Sequence, residues 1–220
     1  MTLRVDLAQI ADWVAPGSRV LDLGCGDGSL LAHLRDARSC RGYGVDIADD
    51  NVALCVKQGL NVIQQNMDAG LRLFADDMFD TVVLSQTLQA MHDAEGILRE
   101  MARVARQGVV SFPNFGHWRH IASLLAGRMP VSKTIPYQWY DTPNIHLCTL
   151  KDFEILAARV GLTITGRTVL ADGRPVGALP SLRATVAIYR FEGRWGDRTR
   201  RRQNDRQAAD SVSDARIPAC

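Results

Sequence analysis

No stretch of this 220-residue chain approaches the roughly 20 uncharged apolar residues that a membrane-spanning helix requires. The opening run MTLRVDLAQIADWV carries acids inside its apolar pattern, unlike a signal peptide, so the expected location is the cytoplasm. Disulfide and zinc frameworks are also unsupported. The five cysteines (Cys25, Cys40, Cys55, Cys148 and Cys220) are odd in number, scattered and never spaced as CxxC, and they read as reduced, mostly buried thiols. There is no internal repeat and no sign of a second core. Net charge is small too, at +2 overall, and what net basicity exists is local: residues 190–206 hold seven arginines against three acids. From about Phe191, the segment FEGRWGDRTRRRQNDRQAADSVSDARIPAC has no hydrophobic period, so residues 191–220 read as a disordered Arg-rich tail. Nothing folded presents those arginines as a patch, which argues against a nucleic-acid partner.

What is present suffices for one ordinary domain over residues 1–190, since 46% of residues are hydrophobic and 23% charged. DLAQIADWV has apolar residues at helical spacing behind a capping Asp6 and stops at PGS. RVLDLG (19–24) is a strand stopped by glycine, and SLLAHLRD a helix. Further strands are expected at GYGVDI (42–47), NVIQQ, FDTVVLSQ (79–86), GVVSFPN (108–114), LTITGRTVL and RATVAIYRF (183–191), with helices at DNVALCVKQG, AEGILREMARVAR and TLKDFEILAARVG. Nearly continuous apolar strands alternating with amphipathic helices predict an α/β fold, a doubly wound parallel sheet covered on both faces. Between the fifth strand and the late helix lies an insertion, roughly 115–148. It contains PYQWYDTPNIH, where Tyr137, Trp139 and Tyr140 lie between prolines that forbid regular structure. An aromatic loop of this kind covers a pocket or contacts a partner.

LDLGCGDGSLL places Gly24, Gly26 and Gly28 at alternate positions after the first strand. Glycine serves where the chain turns into positive φ or where backbone must approach a ligand without a Cβ. The helix expected from Ser29 directs its free amides to the same place. Position 29 is serine, so the dinucleotide pattern GxGxxG is absent. Asp46, 22 residues beyond Gly24 at the end of the second strand, is placed to accept from the two hydroxyls of a ribose. On this reading alanine at position 46 removes nucleoside binding and leaves the free protein near its original stability. A tight turn chosen for geometry alone is the bland alternative.

These residues resemble the class I S-adenosylmethionine-dependent methyltransferases. Asp22-x-Gly24-x-Gly26-x-Gly28 is similar to that family's first motif and Asp46 to its ribose-binding acid. The resemblance implies a Rossmann-like, mostly parallel seven-stranded sheet with its last strand antiparallel, binding S-adenosylmethionine or S-adenosylhomocysteine. It further implies that Asp22, Gly24, Cys25, Gly26 and Gly28 hold the methionine moiety, that Asp46 and Ile47 hold the ribose side, that Asn66 and Met67 face the adenine, and that Ser85 lies on the pocket floor. The family often has aspartate where this chain has Asn66; Asn66 can accept through its carbonyl, or Asp68 can substitute. Within the superfamily, RVLDLGCGDGSLL, NVIQQ, VVLSQTLQA, VVSFPNFGHWR and GRMPVSKTIPYQWYDTPNIHLCT together resemble the methionine biosynthesis family MetW. That resemblance implies a role beside homoserine O-acyltransferase, as its partner or modulator.

No unambiguous catalytic group is visible. His146, Tyr137, Asp141, His117 and His120 are the proton donors and acceptors of the insertion, with His146 first because it closes the loop near the late helix. His117 and His120 are three apart, but two ligands without a third do not make a metal site. The favoured reading is a binding and regulatory subunit for the acyltransferase. An active methyltransferase on a small acceptor is the alternative, and a nucleic-acid modifier using the arginine tail the weakest.

Overall fold

The computed structural model describes residues 3–193. The expected Arg-rich tail from about 194 onward, and Cys220, lie outside the described residues. Helix α1 (Val5–Trp13) leads into β1 (Arg19–Leu23), α2 (Ser29–Arg38), β2 (Arg41–Asp46), α3 (Asp49–Lys57), β3 (Val62–Gln64) and β4 (Phe79–Ser85). Then come α4 (Ala94–Val104), β5 (Ala105–Pro113), α5 (Trp118–Leu125), α6 (Leu150–Arg159), β6 (Leu162–Ala171), β7 (Arg174–Pro175), α7 (Pro180–Arg183) and β8 (Val186–Gly193). The strands form one sheet in the order β3-β2-β1-β4-β5-β8-β6-β7.

Strands β1 to β5 are mutually parallel, and β8 runs antiparallel between β5 and β6. This is the doubly wound α/β architecture that the alternation of elements requires. It has eight strands rather than seven, because the chain turns back after β6 and adds a two-residue antiparallel strand at the edge. Two other boundaries moved. The helical pattern of AEGILREMARVAR stops at Val104 because Ala105 already pairs with Phe79 of β4, so sheet pairing takes the last two residues. RATVAIYRF does not begin as a strand either: Pro180 sits in the first turn of α7, which claims Arg183.

Alternation of side chains across the strands divides the core in two. Leu21, Leu23, Val82, Leu84, Val110 and Phe112 pack on one face with α4 and α6. Val20, Val83, Val109 and Ile188 pack on the other with α1, α2 and Cys55 of α3. Asp22 shares the Val20 face by the same period of two, which puts a carboxylate at the end of an otherwise apolar layer. β1 lies between β2 and β4, where the winding reverses, and ligands of such sheets bind outside the carboxyl ends of the strands at that reversal. Among the described residues no helix is long and apolar enough to cross a membrane. Of the described cysteines, Cys25, Cys40 and Cys55 are buried and Cys148 is half-buried, in line with the expectation of mostly buried thiols.

Candidate functional site

The turn after β1 is built as its glycines predict. Gly24, Gly26 and Gly28 have φ of 69°, 55° and 76°, all in the left-handed region that side chains disfavour. The three positions differ in what surrounds them. A Cβ on Gly24 would meet Thr87 Oγ1 at 2.6 Å, and one on Gly28 would meet Leu60 Cδ1 at 2.5 Å and Cys55 Sγ at 2.8 Å. Around Gly26 a Cβ would have nothing within 4 Å. Gly24 and Gly28 are therefore held by the protein's own packing, and Gly26 is the position where backbone faces open space. The N–H groups of Gly24 and Cys25 both donate to Val45 O, at 2.8 and 3.1 Å, which ties the turn to β2.

Asp46 stands behind this turn. Its Oδ2 accepts from Gly26 N at 2.8 Å, and its Oδ1 accepts from Ala48 N at 2.9 Å and Asn51 Nδ2 at 3.1 Å. The idea that alanine at position 46 leaves the free protein intact needs correction: this carboxylate satisfies two backbone donors, and truncation orphans both. Ile47 follows it with 62% of its surface exposed. Asn66 caps the 3₁₀ turn Met67–Ala69, its Oδ1 accepting from Asp68 N at 2.9 Å. Asp68, offered as a substitute for the adenine contact, is engaged elsewhere, since it accepts from His92 N at 3.0 Å and lies 2.8 Å from His92 Nδ1.

A cavity of about 640 Å³ opens between α1, α2 and the turn, with Asp22, Gly24, Cys25, Gly26 and Ser85 on its wall. Asp46, Ile47, Asn66 and Met67 are outside that wall, and Gly28 borders it only through its neighbours Asp27 and Ser29. Ser29 N donates to Asp27 Oδ1 at 3.0 Å, so the first helical amide is already paired. Asp22 is the unusual member. It is 2% exposed, no hydrogen bond among the described residues ends on its carboxylate, and its oxygens are not sealed from the cavity. Burial, reinforced by the charges of Asp46 and Asp27 and opposed by Arg4, pushes its carboxyl up to about 7. A buried carboxylate without donors is costly, and one that borders a cavity is suited to pair with a cationic ligand.

A second, larger cavity, about 1150 Å³, lies under the insertion, with Gln86, Gln89, His117, His120, Ser132 and Tyr137 among its lining residues. His117 caps α5, its Nδ1 accepting from Arg119 N at 3.3 Å. Burial first, then the neighbouring His120 and Arg119, holds the His117 ring below its ordinary pKa against a smaller opposing effect of Asp172. His120 Nε2 lies 3.1 Å from Ser132 Oγ. His146 and Asp141 are on neither wall. The N–H groups of Ile145 and His146 both donate to Gln89 O, at 2.8 and 2.9 Å, and this anchor leaves the His146 ring on the outside. Of the proton donors and acceptors expected in the insertion, His117, His120 and Tyr137 line a cavity, and His146 and Asp141 do not.

The PYQWYDTPNIH segment has neither helix nor strand, as its prolines dictate. Trp139 and Tyr140 are each 71% exposed and meet edge-on at 5.7 Å. Trp118, Leu125, Met129, Val131, Ile145 and Leu147 are also exposed, so the insertion carries an apolar surface outward. Sequence reasoning missed Arg4, which lines both cavities and forms a two-point ion pair with Asp6 at 3.1 and 2.9 Å. No local pattern marks it. It reaches the site only because α1 packs beside the turn.

Comparison with known proteins fits this geometry. The chain is 37% identical over 211 residues to the "Bifunctional methionine biosynthesis protein MetXA/MetW" of Rhodopirellula baltica, covering 87% of this chain and 33% of that protein. It therefore spans about a third of the length of this relative. A SAM-dependent methyltransferase from Archaeoglobus fulgidus superposes with a TM-score of 0.64 at 16% identity, covering 86% of this chain and 92% of that one. The [4+2]-cyclase SpnF superposes with a TM-score of 0.62 at 16% identity, covering 85% and 80%. These likenesses establish the class I methyltransferase fold, and the cyclase shows that the fold alone does not decide the chemistry. The profile of the family described as "Methionine biosynthesis protein MetW" matches residues 4–191, and the chain belongs to that family.

Proposed function

We propose that this protein binds S-adenosylmethionine or S-adenosylhomocysteine at the glycine turn and acts in methionine biosynthesis as a partner and modulator of homoserine O-acyltransferase. The observation that carries the cofactor reading is the unpaired Asp22 carboxylate at the wall of the smaller cavity, beside Gly26, the glycine of this turn whose Cβ position is open. The α-ammonium or sulfonium of the cofactor supplies the positive charge that this carboxylate lacks, and the open backbone at Gly26 admits its approach. Asp46 holds Gly26 in place from outside the wall of that cavity, and its ribose role is carried over from the family's acid at this position. When bound, S-adenosylmethionine supplies an electrophilic methyl group.

The partner reading is supported by two facts. The Rhodopirellula baltica relative is named for two activities on one chain, and this chain matches a third of it. The insertion also exposes rigid aromatic side chains, which bury much area for little lost rotamer freedom when a partner docks. Because S-adenosylmethionine is made from methionine, coupling its occupancy to the acyltransferase closes a feedback loop through ordinary linkage. The test is co-expression with the acyltransferase: the two should co-purify, and the turnover of the acyltransferase should respond to S-adenosylmethionine only when this protein is present. An acyltransferase that neither co-purifies nor changes its turnover sinks the idea.

The second cavity favours one alternative, an active methyltransferase on a small acceptor. Its wall joins that of the first at Arg4 and carries His117, His120 and Tyr137 as groups able to exchange a proton, His117 only by giving up the Arg119 N–H that its Nδ1 accepts. Labelled cofactor incubated with a cell extract should then leave label on a small molecule.

A further inference from the structure

The larger cavity has polar features that the cofactor reading does not use. Gln86, at the carboxyl end of β4, has φ of 53°. For a residue with a Cβ this left-handed conformation costs about 1–2 kcal/mol. It persists because Gln86 N donates to Ser111 O at 2.9 Å and to Ser111 Oγ at 3.1 Å. Strain held in place by surrounding bonds concentrates at ligand sites.

The side chains on this turn are also incompletely paired. Gln89 Nε2 donates to Gln86 O at 2.6 Å, whereas Gln86 Nε2 and Gln89 Oε1 are buried with no hydrogen-bond partner among the described residues. One is a donor and the other an acceptor; both residues line the cavity, and turning these atoms toward a ligand requires the two amides to rotate, Gln89 giving up its bond to Gln86 O. The rest of the wall carries both signs of charge. Arg119, Lys133 and Asp172 are exposed and form no ion pair among the described residues, although the Arg119 guanidinium lies 5.4 Å over the Trp118 ring.

A plain anion would answer Arg119 and Lys133 but leave the Gln89 carbonyl and Asp172 unmatched, and a plain cation would do the reverse. We propose that the cavity beneath the insertion is a binding site for a free α-amino acid, its carboxylate held by Gln86 Nε2 with Arg119 and Lys133 and its ammonium by Gln89 Oε1 with Asp172. The proposal does not depend on the cofactor reading, since the two walls share Arg4 alone.

The experiment is calorimetric titration of the full-length protein with L-methionine, L-homoserine and succinate, with and without saturating S-adenosylhomocysteine. At least one amino acid should bind in both conditions, and succinate at least tenfold more weakly. Gln86→Glu, equal in size but with the donor replaced by a carboxylate oxygen, should weaken amino-acid binding tenfold or more, and the exposed Lys133→Ala should weaken it several-fold if the first variant does not fold. Asp22→Asn should leave it unchanged. The proposal is overturned if neither amino acid binds or if succinate binds as well as they do. It is also overturned if binding is lost in Asp22→Asn and kept in Gln86→Glu, which would put the amino acid in the glycine-turn cavity. Amino-acid binding without any S-adenosylhomocysteine binding would remove the cofactor reading and leave this one standing.

Discussion

A carboxyl group pushed up to about 7 titrates where the cell works, and Asp22 does so because it is buried near Asp46 and Asp27 with only Arg4 to offset them. Its folded-state pKa lies above the unfolded value of 3.8, so the folded chain holds the proton more tightly. The stability this group contributes is therefore fully present below about pH 4 and is lost as pH rises to about 7. Asp22→Asn should flatten that part of a denaturant-midpoint versus pH curve. A cationic ligand reverses the preference, because it pairs with the ionised form. Cofactor affinity should rise with pH up to about 7, and binding at pH 6 should release about one proton per ligand, measurable as a dependence of calorimetric heat on buffer ionisation. Asp22→Asn should abolish that release.

The glycines of the turn give a second contrast at the same scale. Gly26→Ala should cost about 1–2 kcal/mol, the conformational term alone, and should also weaken cofactor binding. Gly24→Ala should cost about 1–3 kcal/mol more, because its Cβ would strike the short, bonded side chain of Thr87. Urea unfolding of both variants, with and without S-adenosylhomocysteine, separates the two effects. For Asp46 the informative substitution is asparagine, which keeps an acceptor oxygen for the turn. Asp46→Ala should be the less stable of the two, by about 1–3 kcal/mol for the orphaned donors.

Among elements, the insertion is where sequence and structure part company most. Its aromatic loop was legible from Pro136 and Pro143, since both fix φ and remove a donor. Which of its side chains turn inward was not legible. That outcome depends on Gln89 O, some 56 residues earlier, accepting from two loop amides and so holding Ile145 and His146 at the surface. Trp139 and Tyr140 are exposed, so replacing both with alanine should leave the unfolding midpoint within about 0.5 kcal/mol of the original while weakening the proposed association with the acyltransferase. Sedimentation of the mixed proteins checks the second half and thermal melting the first. Equal association by the double variant would move the docking surface elsewhere on the fold.

For the whole molecule, the proposed cofactor binding would be a stability term. Ligand at about 100 times its dissociation constant adds about 2.7 kcal/mol, which for a domain of this size raises the thermal midpoint by several degrees. The same scale separates what the sequence determined from what the fold decided. Period-two and helical patterns, glycine spacing and proline placement act on neighbouring residues, so the alternation of elements, the positive φ of Gly24, Gly26 and Gly28 and the start of α2 at Ser29 could all be read directly. Convergence of distant side chains could not. Asp22 becomes a buried carboxylate without donors because β1 is interior to the sheet and α1 and α2 cover its face, Arg4 arrives from another element, and Gln86 is strained by bonds to β5. Those facts come from register and layer packing, which no local pattern encodes, and they turn a glycine turn into a site with a charge to satisfy.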